Sequence, residues 1–170
     1  MTRLTPTAEM TLGPFFPREF AQGANDLTVV ANRRAEGEPI EITGRVTELD
    51  GKPLDNVVVE IWQADAKGRF DNPSFFGWGR AATDADGRYV FRTIKPGRVE
   101  GRAPSIHFLI LYSGLMRQLQ TTMFFELVSD AVLDAVPASA RTRLVARKEG
   151  GAYRFDIRLR GEGETPFFDD

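Results

Sequence analysis

The sequence predicts an all-β fold, an antiparallel β-sandwich, and three observations lead to this prediction. Short segments rich in β-branched and aromatic residues recur along the chain, as in residues 57–62 and 88–93. Turn signals such as Asp50-Gly51 and Asp84-Ala85-Asp86-Gly87 separate these segments. Only one segment has the signals of a helix, and that segment is short. Many short strands joined by such turns are typical of a sandwich of two sheets.

The first 38 residues differ from the rest because they show no sustained hydrophobic period. Pro14 and Pro17 flank Phe15 and Phe16, and proline favours an extended backbone over a helix. We therefore predict an extended N-terminal arm over residues 1–38 and one β-sandwich domain over residues 39–170. The aromatic residues of the arm either fill the edge of the chain's own core or line a pocket shared between subunits.

The period becomes two after the arm, with Ile40, Ile42 and Val46 on one side of a predicted strand. Residues 57–62 form a mostly buried strand, in which Glu60 needs a partner because an unpaired buried carboxylate is costly. Glycines at positions 68, 77 and 79 bracket a predicted loop that carries four aromatic residues. A further strand is predicted over residues 88–93.

The second half of the chain contains a predicted central strand at residues 105–112 and another strand at residues 119–127. Residues 129–136 begin with helix-capping residue types and end at a proline, which predicts a helix of no more than two turns. A hairpin is predicted from residues 143–148 and 153–160. The acidic tail that follows includes Phe167 and Phe168, so we expect it to dock on the domain.

The composition excludes several classes of protein. The chain has 170 residues and a net charge of −2, which predicts no general attraction to nucleic acid. No apolar run is long enough to span a membrane, and the N-terminus has no signal-peptide pattern. Cysteine is absent, which excludes disulfides and thiolate metal sites. From these absences we expect a cytoplasmic protein.

His107 is the only histidine, and it alternates with Leu109 and Leu111 on a predicted strand. A single histidine on an apolar strand favours a hydrogen-bonded core residue over a metal ligand. Tyr89 and Tyr153 alternate with core positions in the same way, which favours packing. A stable ferric site would need several ligands held together and oriented by their neighbours.

Three motifs resemble the intradiol ring-cleaving dioxygenases. They are V-E-I-W-Q-A-D-A-x-G-R-F at residues 59–70, G-x-G-R-x-x-T-D-x-D-G-x-Y-x-F-R-T-I-K-P-G at residues 77–97, and I-H-F at residues 106–108. Members of that family hold a ferric ion with two tyrosines and two histidines. The resemblance places Val99 at one tyrosine position and Ser105 at the first histidine position. Only His107 is retained, since the loop at residues 70–76 has no tyrosine.

The loss of ligands matches one type of subunit in this family. Heteromeric members pair α and β chains of similar fold, and the α chain carries no iron. This chain resembles the α type in Thr11-Leu12-Gly13-Pro14-Phe15 and in its ending at residues 153–169. The resemblance implies a β-chain partner that holds Fe(III), no metal in this chain, and protocatechuate and O2 as substrates of the assembled enzyme.

The same resemblance assigns substrate contacts to Thr11, Gly13 and Pro14, which would reach the partner's pocket. Thr122 stands where α chains often have arginine, so recognition of a substrate carboxylate there is in doubt. Arg102 is an alternative cation, unless it pairs with a carboxylate such as Glu60.

Two other hypotheses remain. The chain could be a β-sandwich binding or structural module without a catalytic partner. A self-sufficient dioxygenase with an unusual ligand set is disfavoured because so few ligands are present.

Overall fold

The computed structural model describes residues 16–168 and shows two larger β-sheets packed face to face, together with a small two-stranded sheet, which confirms the predicted sandwich. The strands are β1 (Val29–Val30), β2 (Arg33–Arg34), β3 (Pro39–Thr47), β4 (Val58–Trp62), β5 (Trp78–Ala82), β6 (Arg88–Ile94), β7 (Ser105–Leu111), β8 (Leu119–Phe124), β9 (Arg147–Glu149), β10 (Ala152–Arg154) and β11 (Ile157–Arg158). Two short helices, α1 (Ala131–Ala135) and α2 (Ala138–Arg141), lie between β8 and β9.

The first sheet is built around β3. Strand β6 pairs with it antiparallel along one edge, while β10 and β11 pair with it in parallel along the other. These parallel pairs are exceptions in a mostly antiparallel fold. The strand predicted over residues 153–160 is interrupted at Phe155 and Asp156, where the Phe155 carbonyl accepts a hydrogen bond from the Tyr89 hydroxyl.

The second sheet has the order β5-β4-β7-β8, and all its pairs are antiparallel. Strand β5 corrects the prediction of a loop around Gly77 and Gly79. These glycines allow close approach: a Cβ at Gly79 would lie 2.5 Å from Leu27 Cδ1, and one at Gly77 would lie 2.0 Å from the Gln63 carbonyl oxygen. A glycine-rich segment can therefore pair as a strand here.

The main core lies between the two sheets and follows the predicted alternation. Ile42, Val46 and Phe91 from the first sheet meet Ile61 and Phe108 from the second, and all are nearly inaccessible to solvent. The predicted packing roles of Tyr89 and Tyr153 are confirmed, because both residues are buried in this core.

A smaller core lies under the helices. The predicted short helix is confirmed as α1, whose N-cap Asp130 accepts a hydrogen bond from the Val132 amide. Leu133 and Leu144 pack against Phe124 at the end of β8. Strand β8 ends there rather than at Leu127, whose side chain is 58% exposed.

The C-terminal tail docks on β8, as predicted. The Phe168 amide donates to the Gln120 carbonyl, and the Thr121 hydroxyl donates to the Pro166 carbonyl. The described part of the N-terminal arm also packs on the domain, since Leu27 is buried in the main core.

The arm residues predicted to contact substrate, Thr11, Gly13 and Pro14, lie outside the described residues, as does Phe15. Within residues 16–168, no helix is long and apolar enough to cross a membrane.

Candidate functional site

The outer face of the second sheet collects the residues of chemical interest. Strand register aligns Trp78, Trp62, His107 and Thr122 in one row across β5, β4, β7 and β8. The adjacent row contains Arg80, Glu60, Leu109 and Gln120. Together these two rows line most of an open cavity of about 410 Å³.

Aromatic side chains form the wall at the β4–β5 edge of this cavity. The Trp62 ring stacks on Phe70 at 6.0 Å between centroids and meets the edge of Phe76 at 6.2 Å. Phe76 also contacts Trp78. Trp62, Phe70 and Phe76 are between 42% and 61% exposed. An exposed apolar group of this kind is characteristic of a surface that contacts a ligand or another protein.

Glu60 has the partner that its position in a strand required. The Arg80 guanidinium forms an ion pair with it, with Nε 2.8 Å from Oε1, and both side chains are about 15% exposed. Trp78 Nε1 donates to the other carboxylate oxygen at 3.4 Å. The suggested pairing of Glu60 with Arg102 is therefore wrong.

Arg80 also connects this face to the N-terminal arm. The Arg80 guanidinium lies 3.7 Å from the centroid of the Phe20 ring, which is a cation–π contact. The start of the described arm therefore packs directly on the outer face of the second sheet.

His107 is exposed, which corrects its prediction as a core residue. The neighbouring residues Ile106 and Phe108 point into the core, so strand alternation turns His107 outward. Its Nδ1 lies 3.3 Å from the Thr122 hydroxyl. Partial burial lowers the pKa of His107, the Arg102 cation lowers it further, and Asp130 opposes both.

Arg102 is bound to Asp130 rather than free. Its Nε and one terminal nitrogen donate to the two carboxylate oxygens at 3.0 and 3.1 Å. The Asp130 side chain is fully buried, while that of Arg102 remains 33% exposed. The carboxylate thus neutralises the cation that could otherwise have met a substrate carboxylate.

The loop after β4 is organised by Asp65. Burial opposes ionisation of this carboxylate, but hydrogen bonds from the Arg69 amide, Asn72, the Lys67 amide and the Arg69 guanidinium outweigh it and lower the pKa of Asp65 to about 2. This loop carries Phe70, so the carboxylate supports the aromatic wall of the cavity.

We expect Asp65→Asn to lower the free energy of unfolding at pH 7 by about 2 kcal/mol, the value of the pKa shift. Because the pKa is lower in the folded state, this stabilisation is present above pH 4 and disappears as the pH falls toward 2. Urea unfolding of both proteins at pH 7 and pH 2.5 tests this. Asp71→Asn, an exposed change in the same loop, is the control. If Asp65→Asn lowers the free energy of unfolding by the same amount at pH 7 and at pH 2.5, the expectation is contradicted.

Among residues 16–168, the side chains present do not fit a ferric ion. His107 is accompanied by Ser105 on the same strand, and Val99 supplies no donor atom. In the described part of the chain, no group of three or more histidine, aspartate or glutamate side chains could hold a metal. Burial raises the pKa of Tyr89, with a further contribution from Asp156.

The aromatic wall was missed by the sequence analysis. Trp62 and Trp78 lie directly opposite each other on β4 and β5, but this required β5 to be recognised as a strand. The alternation of Trp78, Arg80 and Ala82 with small buried residues was the available signal.

A family profile described as "Dioxygenase" matches residues 11–161. The protocatechuate 3,4-dioxygenase alpha chain of Burkholderia cepacia is 33% identical over 196 residues, which cover 99% of this chain and 100% of that protein. The beta chain of the same enzyme is 40% identical over 173 residues, which cover 84% of this chain and 74% of that protein.

Solved structures agree in fold. The dioxygenase domain of a carbohydrate-binding fusion protein from Streptomyces sp. SirexAA-E matches with a TM-score of 0.63 and 27% identity, over 95% of this chain and all of that one. An intradiol ring-cleavage dioxygenase from Tetranychus urticae matches with a TM-score of 0.60 over 91% of this chain and 94% of that one, and at 17% identity it supports the fold alone.

Proposed function

This chain belongs to the intradiol ring-cleaving dioxygenase family, and we propose that it is the iron-free α subunit of a protocatechuate 3,4-dioxygenase. The observation that carries the proposal is the donor set around His107. Ser105 and Val99 stand at two further ligand positions, and neither can replace an imidazole or a phenolate on ferric iron. The alignment with an alpha chain over the full length of both proteins supports the same assignment.

In this proposal a ferric ion would be held by the β-chain partner and would supply the activation of protocatechuate toward O2. The ring then opens between the two hydroxyl-bearing carbons to give 3-carboxy-cis,cis-muconate. The present chain contributes pocket wall and assembly surface and takes no part in the redox step.

The N-terminal arm is the part of this chain proposed to reach the partner's pocket. Its base is held to the domain, because Asn56 donates to the Phe16 carbonyl at 2.8 Å and Arg18 pairs with Asp55 at 2.8 Å. Thr11, Gly13 and Pro14 precede this anchored segment. Thr11 offers a hydroxyl, Gly13 permits close approach of backbone to a ligand, and Pro14 stiffens the wall.

Thr122 and Arg102 are less suited than the arm residues to contact substrate. Thr122 is only 3% exposed, and its hydroxyl faces His107. Arg102 is paired with Asp130. We therefore place recognition of the substrate carboxylate in the partner rather than at either residue.

The exposed aromatic group at Trp62, Phe70 and Phe76 supports the assembly role. Interfaces between permanently associated subunits have an apolar centre, and aromatic residues are enriched there. We propose that the β chain covers this group in the complex.

The test is to produce this chain alone and together with a β-type chain that carries the iron ligands. We expect about one iron per αβ pair, a visible tyrosinate-to-iron absorption and O2 uptake with protocatechuate only from the complex. Tightly bound iron and activity in the chain alone would contradict the proposal. Failure to form a complex would favour a binding or structural module.

Two variants of this chain separate its roles within the complex. His107→Ala should leave iron content and colour unchanged, because His107 is not a ligand in this proposal. Pro14→Ala should raise KM for protocatechuate several-fold at unchanged iron content, because the pocket wall loses rigidity. A loss of iron in the His107 variant would show that the metal assignment is wrong.

A further inference from the structure

A second cavity lies away from the aromatic face, beside β3 and the strands that pair with its parallel edge. Its volume is about 750 Å³, and it shares no lining residue with the cavity around His107. Five arginines and one carboxylate are among the lining side chains: Arg45, Arg143, Arg147, Arg154, Arg158 and Asp156. The chain as a whole has a net charge of −2, so this cluster does not reflect a generally basic surface.

Asp156 balances only part of this positive charge. It accepts from Arg154 Nε at 2.9 Å and lies 3.2 Å from a terminal nitrogen of Arg147. Glu149, which is not a lining residue, contacts Arg154 at 3.4 Å and Arg147 at 3.5 Å. These two carboxylates therefore serve Arg147 and Arg154, and neither is paired with the remaining arginines.

Three guanidinium groups have no carboxylate partner among residues 16–168. Arg143 donates to the Glu164 carbonyl at 3.2 Å, and Arg158 donates to the Glu162 carbonyl, so both are held in place by neutral groups. The Arg45 side chain forms no ion pair within the described chain, while its backbone amide donates to Asp156 at 3.1 Å. The tail backbone thus orients two arginines without neutralising them.

We propose that this cavity binds a small organic anion that carries two or three carboxylate or phosphate groups. A guanidinium fork matches the paired oxygens of either group. The volume suits a small molecule rather than a single ion. Threonine side chains at positions 47 and 142 offer hydroxyl groups, and Leu127 and Val145 provide apolar wall for a carbon skeleton. The inference is independent of the function proposed above.

The test uses the full 170-residue chain and isothermal titration with citrate and, separately, with pyrophosphate. Sodium chloride at matched ionic strength corrects for general screening. We expect saturable binding of at least one of the two anions with one site per chain. Binding of citrate alone would identify a carboxylate site, and binding of pyrophosphate alone would identify a phosphate site.

Arg45→Gln and Arg143→Gln should each weaken this binding about tenfold or more, because each removes a charge-assisted hydrogen bond to the anion. Arg34→Gln, a change at an exposed arginine on β2, should leave the affinity unchanged. Without ligand, Arg45→Gln should not lower the unfolding temperature, because Arg45 has no ion pair with any of residues 16–168 and its removal reduces repulsion among the arginines.

Either of two results would overturn the proposal. One is that neither anion binds beyond the chloride control. The other is that binding occurs and is weakened equally in the Arg34 variant, which would indicate attraction to surface charge in general.

Discussion

Replacing Asp130 with alanine is expected to lower the free energy of unfolding by about 3–5 kcal/mol, the range for breaking a buried ion pair by removing one partner. The carboxylate binds Arg102 through both oxygens and also accepts from the Ala103 and Val132 amides, each at 2.9 Å. The substitution leaves a cation and two amide groups without their acceptor and removes the N-cap of α1. Urea unfolding at pH 7 measures the loss.

The matched control is Asp134→Ala, which removes a neighbouring carboxylate whose ion pair with Arg141 is exposed. We expect this change to cost less than about 1 kcal/mol. A comparable loss in both variants would show that burial of Asp130 has no special effect.

The Asp130 contribution should also depend on pH. Burial alone would raise the pKa of this carboxylate, but hydrogen bonds from Arg102, Ala103 and Val132 outweigh it and lower the pKa. A carboxylate with a lowered folded-state pKa stabilises the fold above its unfolded pKa near 4 and loses that effect as the pH falls through the folded value. The difference between wild type and the alanine variant should therefore shrink in strong acid.

Replacing Phe108 with alanine should cost about 3–5 kcal/mol, the range for deleting a buried aromatic side chain. Its ring is 1% exposed and lies 5.1 Å from that of Phe155, 6.1 Å from Tyr89 and 6.4 Å from Phe91. It therefore connects the two sheets at the level of His107, which precedes it on β7. The cavity left behind removes contacts on both sides of the core.

Thermal and urea unfolding compare Phe108→Ala with Phe108→Leu, which should cost less because it retains most of the volume. Val90→Ala, at a position 36% exposed on β6, is the surface control and should change stability little. A loss below about 1 kcal/mol for Phe108→Ala would mean that the core can collapse around the deletion.

Local sequence pattern predicted most of the fold. Alternation at Ile40, Ile42 and Val46 identified β3, and the capping residues before α1 located the helix. The errors arose at glycines and at the break in the last strand. Gly79 was interpreted as a loop residue, although it allows Leu27 to approach β5 closely, and Phe155 was placed in an unbroken strand.

The site was predicted less completely than the fold. The resemblance to the family, rather than residue pattern alone, pointed to His107, Ser105 and Val99 as the positions that matter for a metal. The sequence could not identify the partners of Glu60 and Arg102, which are Arg80 and Asp130. Nor did it reveal the aromatic wall or the second cavity, which is lined by five arginines.

The sequence by itself thus determined the sandwich and its buried positions, since these follow from local periodicity. It also determined that few side chains could bind iron, since the chain has one histidine and no cysteine. The tertiary structure decided which residues share a surface. Trp62 meets His107, and Arg45 joins Arg158 around one cavity, only because strands distant in the chain pair in a particular register. Alternation fixes which face each side chain occupies, because a shift of one residue would turn the apolar side chains out of the core. A shift of two residues keeps the face and changes every cross-strand neighbour, so local pattern does not specify which distant residues meet.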